Sequence, residues 1–380
     1  MQDEERRAAR WRRSTSPPRL VVDGHLDLAM NALLWNRDLT TEVDDLRARE
    51  REEGLVGAGR GRNTVTLPEL RRAGVGVSIA TVLARTGGAP TPGLPKYASA
   101  AIAYGMAQGQ LAHYRMLAAS GELAVIGDRD ALRSHWERWT RWWDAGATAG
   151  SEPPHGIVVA MEGADSIPSP EHLPGWHADG LRILGMTHYM DGTYAHGTGT
   201  EGGLKAPAAE LLAAMAACGM ALDVTHLADR SFWEALELWE GPVLASHQNA
   251  RGLVPGQRQF DDEQLRAVIE RDGVIGCALD AWMLVPGWER GHTTPDAVTL
   301  EALVDHMVRV CELAGNVHHV AVGSDLDGGF GNEQTPVDLD TIADLQKLPP
   351  LLATRGFSSA DVDAVMHGNW LRFLHAALPF

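Results

Sequence analysis

The stretch Leu20-Val-Val-Asp-Gly-His25-Leu-Asp27 decides the fold, because a short apolar run ends there in polar side chains. Five later runs repeat this pattern, and segments with helical spacing separate them. Short apolar runs that alternate with helices are typical of parallel strands in βα units. The five runs are Ile157-Val-Val-Ala-Met-Glu162, Leu181-Arg-Ile-Leu-Gly-Met-Thr-His188, Ala221-Leu-Asp-Val-Thr-His226, Val243-Leu-Ala-Ser-His247 and Val320-Ala-Val-Gly-Ser-Asp325.

Two further apolar segments, one beginning at Val75 and one ending near Asp280, bring the number of predicted strands to eight. Eight alternating units predict one closed (β/α)8 barrel of the TIM type, in the α/β class, rather than an open sheet. We predict a polar N-terminal arm over residues 1–18 and a single barrel domain over residues 19–380. The stretch 128–156 is predicted to be an insertion, because it combines a tryptophan-rich segment with a Gly/Ala/Pro-rich loop.

The insertion contains tryptophans at positions 136, 139, 142 and 143. Three of them, at 136, 139 and 143, share one helix face, which favours an apolar stripe against the barrel or a neighbouring subunit. Stacking on a substrate is the alternative. Positions 102, 106, 111, 114 and 117 likewise predict one packed face of a long helix over residues 98–120.

Composition excludes several classes of protein. The 33 basic and 50 acidic residues give a net charge of −17, which argues against a surface for nucleic acid or anionic membrane. Cys218, Cys277 and Cys311 have no zinc-site or disulfide spacing, so we expect reduced thiols. Residues 1–20 lack an apolar signal core and no run is long enough to span a membrane, so we expect a cytoplasmic protein.

The polar residues at the strand ends could bind metal. His25 and Asp27 are two apart on a strand, so their side chains share a face, although a plain polar pair is the alternative. Glu162 closes a buried run, where a carboxylate is costly unless a cation or a salt bridge neutralises it. His226 and His247 are 21 residues apart, which fits the ends of adjacent strands joined by one helix.

Histidine and carboxylate ligands without cysteine favour zinc, with manganese or cobalt as less favoured alternatives. Five ligands exceed the roughly three that one open catalytic zinc takes from a protein. Two ions that share one carboxylate would use all five, and a hydroxide between ions roughly 3.5–4 Å apart is a nucleophile at neutral pH.

Two further strand-end residues could act on a substrate. Asp325 ends the last strand, where a barrel commonly places an acid–base group. His188 could polarise a carbonyl or simply form a hydrogen bond to the loop that follows it. Asp327 lies two residues on in an Asp-Gly pair and is expected to stabilise a turn.

Several short motifs occur in order along the chain: Asp23-Gly-His-Leu-Asp27, Glu162-Gly, Thr187-His188, Asp223-Val-Thr-His226, Ser246-His247-Gln-Asn-Ala-Arg-Gly-Leu, Gly273-Val-Ile-Gly, Gly323-Ser-Asp325-Leu-Asp-Gly and Gly368-Asn-Trp-Leu-Arg372. Together they resemble the membrane dipeptidase (renal dipeptidase) family of metallopeptidases, peptidase family M19, from about Leu20 to Leu374. The family belongs to the amidohydrolase-like superfamily, so the resemblance implies a TIM-type barrel of the metal-dependent hydrolase type.

The resemblance also implies residue roles. His25 and Asp27 would bind one Zn²⁺, His226 and His247 a second, and Glu162 would bridge both ions. Asp325 would carry a proton from the bridging water to the leaving amine, and His188 would stabilise the oxyanion. Arg258 falls where the family uses an arginine to bind the terminal carboxylate of the substrate. A surface salt bridge from Arg258 to Asp261 or Asp262 is the alternative.

The sequence departs from the family near the predicted substrate pocket. Asp280 follows Ala278-Leu where the family usually carries an Asn-Phe-Tyr-like strand end, and an acidic residue there could repel a substrate carboxylate. The loops after His188 and after Ala281 also differ, and such loops set specificity on this fold.

We therefore expect a dinuclear zinc hydrolase that cleaves the amide of a dipeptide or a related small amino-acid conjugate. The alternatives are a non-dipeptide amide or lactone as substrate, or a non-catalytic metal-binding scaffold. The expected partner is the small substrate, with no nucleic acid or membrane, and the resemblance makes a homodimer possible.

Overall fold

The structure is a computed structural model that describes residues 17–88, 94–147 and 152–380. The predicted polar arm over residues 1–18 therefore lies outside the described residues, except for exposed Pro17 and Pro18. Part of the Gly/Ala/Pro-rich loop of the predicted insertion, residues 148–151, also lies outside them.

Parallel strands pair in the order β1-β2-β4-β5-β6-β7, and β8 pairs with β9. A bridge between Ala245 and Ile275 joins β7 to β8, and the Ser324 backbone N–H beyond β9 donates to Asp23 of β1 over 2.9 Å. These contacts join the two sheets and bring β9 beside β1, and the predicted α/β barrel fold is confirmed. The strands are β1 (Val21–Leu26), β2 (Val75–Val82), β3 (Leu123–Val125), β4 (His155–Glu162), β5 (Leu181–Gly185), β6 (Ala221–Asp223), β7 (Val243–Leu244), β8 (Ile275–Cys277) and β9 (Val320–Val322).

Helices alternate with the strands along the chain. The side chain of Ser99 caps α4 and that of Asp128 caps α5, each by accepting a backbone N–H from three residues further on. The helices are α1 (Leu28–Leu34), α2 (Val43–Glu52), α3 (Leu67–Ala73), α4 (Ala100–Ala119), α5 (Arg129–Asp144), α6 (Leu173–Ala178), α7 (Ala208–Ala217), α8 (Asp229–Leu238), α9 (Asp262–Glu270), α10 (Ala281–Leu284), α11 (Leu300–Ala314), α12 (Leu348–Thr354), α13 (Ser359–Asp363) and α14 (Asn369–Ala377).

The interior of the barrel is filled by small and branched side chains from successive strands. Trp370 and Phe373 of α14 belong to the same buried cluster, and the Trp370 indole donates to the Val322 carbonyl over 2.7 Å. The C-terminal helix therefore packs against the interior of the barrel. The strand residues in this cluster include Val22, Val77, Val158, Ala160, Ile183, Ala221, Leu244 and Ala321.

Two glycines let the strands approach the carbonyl oxygen of Ser246. A Cβ atom on Gly276 would lie 2.1 Å from that oxygen, and one on Gly323 would lie 1.9 Å from it. Both distances are far inside van der Waals contact, so a larger residue would force β8 and β9 away from the β7 segment. The close approach fixes the backbone directly before His247.

The tryptophan-rich segment forms α5, and its stripe packs on this chain's own barrel. Trp139 is buried, and Cβ atoms on Gly74 and Gly76 would lie within about 3 Å of Trp143 and Trp136. The interpretation as a stripe that packs on the barrel is therefore supported. The short strand β3 before this helix, which pairs with the start of β4, was not predicted.

The predicted packed face of α4 is partly wrong. Leu111 and Tyr114 are buried as expected, but Ile102 is exposed and Gln110 is buried in its place. Gln110 satisfies both backbone groups of Leu83, which explains why a polar residue faces the barrel. Among the described residues, none of the helices has the length and apolarity to cross a membrane.

Candidate active site

A cavity of about 690 Å³ opens at the carboxyl ends of the strands. Active sites on this fold form at that end, from the turns and loops that follow the strands. Of the residues predicted to be functional, all but His25 and Arg258 line it, and further aromatic and basic side chains complete the lining. The lining is Asp27, Met30, Trp35, Ala58, Leu83, Arg85, Leu94, Glu162, His188, Tyr189, Met190, His226, His247, Asp280, Trp282, Trp288, Arg290, Asp325, Gly328 and Gly329.

Most of the predicted site residues follow the strands rather than belonging to them. His25 and Glu162 lie within strands, but four others come three residues after the last strand residue. The backbone at His226 and Asp325 has φ of 67° and 57°, which ends the extended conformation and turns the side chains toward the cavity. The predicted strands were therefore too long at their carboxyl ends. The four residues are His188, His226, His247 and Asp325.

Glu162 lies at the centre of the site, with each carboxylate oxygen facing a different group of ligands. Its Oε2 lies 3.8 Å from Nε2 of His25. Its Oε1 lies 3.1 Å from Nε2 of His226, 3.4 Å from Nε2 of His247 and 3.8 Å from Nε2 of His188. A single carboxylate between two sets of nitrogen ligands has the arrangement that a bridging ligand needs.

The first group of ligands is rich in negative charge. Nε2 of His25 lies 3.8 Å from an oxygen of Asp27 and 3.8 Å from an oxygen of Asp325. Burial alone lowers the pKa of His25, but Glu162, Asp27 and Asp325 raise it to about 10. The carboxylates therefore create a strong preference for positive charge at this point. Thr81, which the sequence analysis missed, donates its hydroxyl to the carboxylate of Asp27 and so orients it.

The second group consists of neutral histidines. Nε2 of His226 lies 3.1 Å from Nε2 of His247. Burial lowers the pKa of both rings well below the usual value, and the Arg258 charge lowers it further. Nδ1 of His226 lies 3.2 Å from the Thr198 hydroxyl and Nδ1 of His247 lies 2.9 Å from the Ser246 hydroxyl. Hydroxyl contacts at Nδ1 leave the Nε2 lone pairs available to a cation.

Two buried aspartates hold the turns that carry these ligands. Asp23 accepts the backbone N–H of His25 over 3.1 Å, and Asp223 accepts those of Thr225 and Ser246 over 3.0 and 3.1 Å. The motifs Asp-x-His and Asp-x-Thr-His could have predicted this role, because an aspartate often accepts the backbone N–H of the residue two positions further on.

Asp325 and His188 lie on either side of this centre. Burial raises the pKa of Asp325 to about 7, with His25 lowering it and Asp27 raising it further. Burial also lowers the pKa of His188 to about 3, with Arg85 as the next cause. The neutral His188 ring has a buried Nδ1 with no hydrogen-bond partner among the described residues.

Arg258 is buried beside the histidines, and the alternative of a surface salt bridge is not observed. Its guanidinium donates to the side chain of Gln248 over 2.7 Å and to the His247 carbonyl over 3.0 Å, and its Nε has no partner among the described residues. Asp261 instead caps α9, and Asp262 pairs with Arg309. Arg258 does not itself line the cavity, but its charge lowers the pKa of His226 and of His247.

Asp280 lies in the wall of the cavity, but its carboxylate is already bound by protein groups. It accepts Nε2–H of Gln334 over 2.6 Å and the indole N–H of Trp282 over 2.6 Å, and Arg290 lies 3.7 Å away. Burial raises its pKa to about 6, and Arg290 opposes the shift. The expected repulsion of a substrate carboxylate is thus reduced by these partners.

The sequence analysis also missed several residues that line the cavity. Arg85 comes three residues after β2, the same offset at which His188, His226 and Asp280 follow their strands. This shared offset could have predicted that Arg85 lines the cavity. Trp35 and Arg290 have no strand-end signal, whereas Tyr189, Trp282 and Trp288 come from the segments after His188 and after Ala281 that were predicted to set specificity.

The residues present fit a pair of metal ions. The ligand atoms form three groups, and within each group they all lie within 4.8 Å of one another. Glu162 belongs to two of these groups. Nε2 of His25 is buried with no hydrogen-bond partner among the described residues, although carboxylates surround it. Nitrogen and carboxylate ligands suit zinc. The groups are His25, Glu162 and His247; Glu162, His188 and His226; and His25, Asp27 and Asp325.

Comparison with solved structures supports the fold. A dipeptidase AC, a metallopeptidase of family M19, superposes with a TM-score of 0.75 and 22% identity over 96% of this chain and 100% of the other. A metallopeptidase from Rhodobacter sphaeroides was solved with a phosphinate mimic of the dipeptide L-Ala-D-Ala. It superposes with a TM-score of 0.75 and 22% identity over 95% of this chain and 100% of the other.

Curated relatives and a family match agree with the fold. A Klebsiella pneumoniae protein, described as an uncharacterized protein in the pqqA 5' region, is 30% identical over 57% of this chain and 80% of its own length. Dipeptidase aclJ of Aspergillus oryzae is 30% identical over 57% of this chain, and dipeptidase tcpJ of Claviceps purpurea is 27% identical over 52%. The matched regions cover only 50% and 45% of those two dipeptidases. Residues 16–378 match the family described as Membrane dipeptidase (Peptidase family M19), so the chain belongs to this family of metallopeptidases.

Proposed function

We propose that this protein is a dinuclear zinc hydrolase that cleaves the amide bond of a dipeptide or a related small amino-acid conjugate. The observation that carries the proposal is the position of Glu162, whose two oxygens face separate groups of ligands inside the cavity. Membership of a metallopeptidase family supports the reaction type.

In this proposal His25 and Asp27 would hold one ion, His226 and His247 would hold the other, and Glu162 would be a ligand shared by the two. When bound, a zinc pair supplies a hydroxide nucleophile at neutral pH and polarises the substrate carbonyl. Thr198, Ser246 and Thr81 keep the ligand side chains in their orientations, as the partners of metal ligands commonly do.

Arg258 would bind the terminal carboxylate of the substrate. A guanidinium can form two parallel hydrogen bonds to a carboxylate, and burial strengthens them. Arg258 donates to the His247 carbonyl and its charge acts on Glu162, so a carboxylate bound beside it would bring the adjacent amide toward Glu162.

His188 and Asp325 would act on the reacting amide. His188 lies 3.8 Å from Glu162 and can donate a ring N–H to the oxygen that gains negative charge. Asp325 lies 3.8 Å from His25, where it can accept a proton from the attacking water and pass it to the leaving nitrogen. Homodimer formation stays a prediction, which light scattering on the purified protein would test.

Metal removal and replacement tests the proposed function. The purified protein should contain about two zinc ions per chain by elemental analysis, lose dipeptide hydrolysis after chelation, and regain it with zinc. A dipeptide library that includes L,D pairs would define the substrates. Hydrolysis that is unchanged by chelation, or a chain without bound metal before chelation, would contradict the proposal, and the second result would favour a non-catalytic protein.

A further inference from the structure

The loop that follows β8 brings two hydrogen-bond donors into the wall of the catalytic cavity. Trp288 and Arg290 both line it. Trp288 is 8% exposed, and its indole N–H is buried with no hydrogen-bond partner among the described residues. An unpaired buried N–H is costly, so a ligand group that reached this donor from the cavity would be stabilised by it.

Asp280 holds this loop and its arginine in place. Both carboxylate oxygens accept hydrogen bonds, Oδ1 from Gln334 and Oδ2 from Trp282, each at 2.6 Å. Nη2 of Arg290 lies 3.7 Å from Oδ2, while 57% of the Arg290 side chain is exposed. Asp280 therefore restrains Arg290 at the mouth of the cavity, but leaves much of the guanidinium available to a ligand.

The charges around the cavity favour an anionic ligand at its mouth. Asp27 and Glu162 belong to the proposed metal ligands, and Asp325 to the proposed proton transfer. Asp280, the remaining carboxylate of the lining, already has its own donors. The lining also contains Arg290, whose side chain is 57% exposed, so an anionic group at the mouth of the cavity would be stabilised.

We propose that Arg290 and Trp288 bind a second carboxylate of the substrate, so that the preferred substrates are dipeptides with an acidic side chain. This inference rests on the proposed function, in which Arg258 binds the terminal carboxylate. Arg290 supplies the charge and Trp288 a neutral donor, and Asp280 is a positioning residue. Charge complementarity of this kind selects among substrates that the reaction itself treats alike.

Paired substrates that differ only by a carboxylate and an amide test the proposal. Ala-Asp against Ala-Asn, and Asp-Ala against Asn-Ala, in L and D forms, compare the two groups at nearly constant size. The wild-type protein should have the lower KM for the acidic member of at least one pair. In R290Q that KM should rise by roughly fivefold to tenfold, because a charged hydrogen bond is lost at a partly exposed site, while the KM of the amide stays unchanged.

Two further variants distinguish the contribution of Trp288 from that of Arg290 and provide a control. W288F keeps the aromatic volume and removes the N–H, so it should raise the KM of the acidic member less than R290Q does. R230Q is the matched control, since Arg230 is an exposed arginine that pairs with Glu234 on α8, and it should change neither KM.

Equal losses on the acid and the amide in R290Q would overturn the proposal, as would a wild-type protein without preference for the acid. A preference for lysine-containing dipeptides that disappears in D280N would show that Asp280 binds a cationic side chain instead, and would overturn it too. Calorimetric binding of the same acid and amide pairs separates this inference from the proposed function. Absence of hydrolysis with every dipeptide would refute the proposed function, while unequal binding that R290Q abolishes would still support the anion site.

Discussion

Buried histidines occur in two regions of this barrel, and their surroundings differ. At the carboxyl ends of the strands, the Nε2 atoms of His226 and His247 lie 3.1 Å apart and point at Glu162. Elsewhere, His155 places its ring nitrogens 3.0 Å from the Val75 carbonyl and 2.8 Å from the Ser78 hydroxyl. Burial is therefore no guide to metal binding. Convergence of ring nitrogens on a carboxylate separates ligands from histidines that only complete the hydrogen bonding of the core.

The largest effect is expected from removal of a metal ligand. H226A and H247A should each lower the metal content from about two ions per chain to about one, and should reduce kcat/KM by more than the roughly 100-fold typical of losing a group that only orients a ligand. Elemental analysis and steady-state kinetics measure the two effects. H155Q is the control from the other region, and it should keep both ions. Equal metal loss in H226A, H247A and H155Q would mean that His226 and His247 are not specific metal ligands.

A variant of Asp325 tests whether this residue is a metal ligand, because its carboxylate lies as close to Nε2 of His25 as the carboxylate of Asp27 does. D325N should lower kcat by about 10²–10⁴-fold, the usual contribution of a general acid–base group, and should retain both ions. The matched variant D27N should lose metal. If D325N lost an ion as well, Asp325 would be a third ligand on the His25 side and the proton transfer would need another residue.

A smaller effect is expected for Arg258, which lies next to the metal region. R258M should raise KM for dipeptides by roughly 10–100-fold, since a hydrogen bond to a charged group is worth about 1.5–3 kcal/mol. R258K should recover only part of this loss, because lysine cannot form the paired contact. Metal content should be unchanged in both variants. A KM equal to that of the wild type in R258M would remove Arg258 from the substrate site.

The sequence predicted the barrel and the proximity of the proposed metal ligands because both depend on local patterns. Each ligand follows an apolar run, and in parallel strands all such ends meet on one side of the barrel. The exact strand limits could not be predicted, since the turn at His226 and at Asp325 depends on a positive φ that neither residue type requires. Asp327 behaves as expected for a structural residue, because its carboxylate accepts the backbone N–H groups of Thr64 and Val65.

The substrate side of the cavity was much less predictable. The effect of Asp280 depends on Gln334, which is 54 residues away in sequence, and on Arg290 across a loop. Nothing local indicates these partners, so the acidic residue alone suggested repulsion. The same holds for Trp35, which reaches the cavity wall from the segment after α1.

The smallest effect is expected on stability, from a buried histidine outside the metal region, and it depends on pH. His306 accepts the Ala250 N–H at Nδ1 over 3.1 Å and lies 3.3 Å from the Leu284 carbonyl at Nε2, an arrangement that only the neutral ring satisfies. Burial lowers its pKa to about 4, against the usual value near 6.5 in an unfolded chain. Between those values the unfolded chain binds the additional proton. The free energy of unfolding should therefore be highest above pH 6.5 and should fall as the pH decreases toward 4.

Acid also protonates the proposed metal ligands, so the contribution of His306 has to be measured as a difference. H306N should unfold at a lower urea concentration at pH 7, with a free-energy loss of about 1–3 kcal/mol from a buried N–H left unpaired. The difference between the wild type and H306N should shrink as the pH decreases to 4, because only the wild type has this ring to protonate on unfolding. Metal loss affects both proteins alike and cancels in the difference. A gap that stays constant from pH 7 to pH 4 would mean that the ring binds its proton equally in the folded and unfolded chains, so that burial does not lower its pKa.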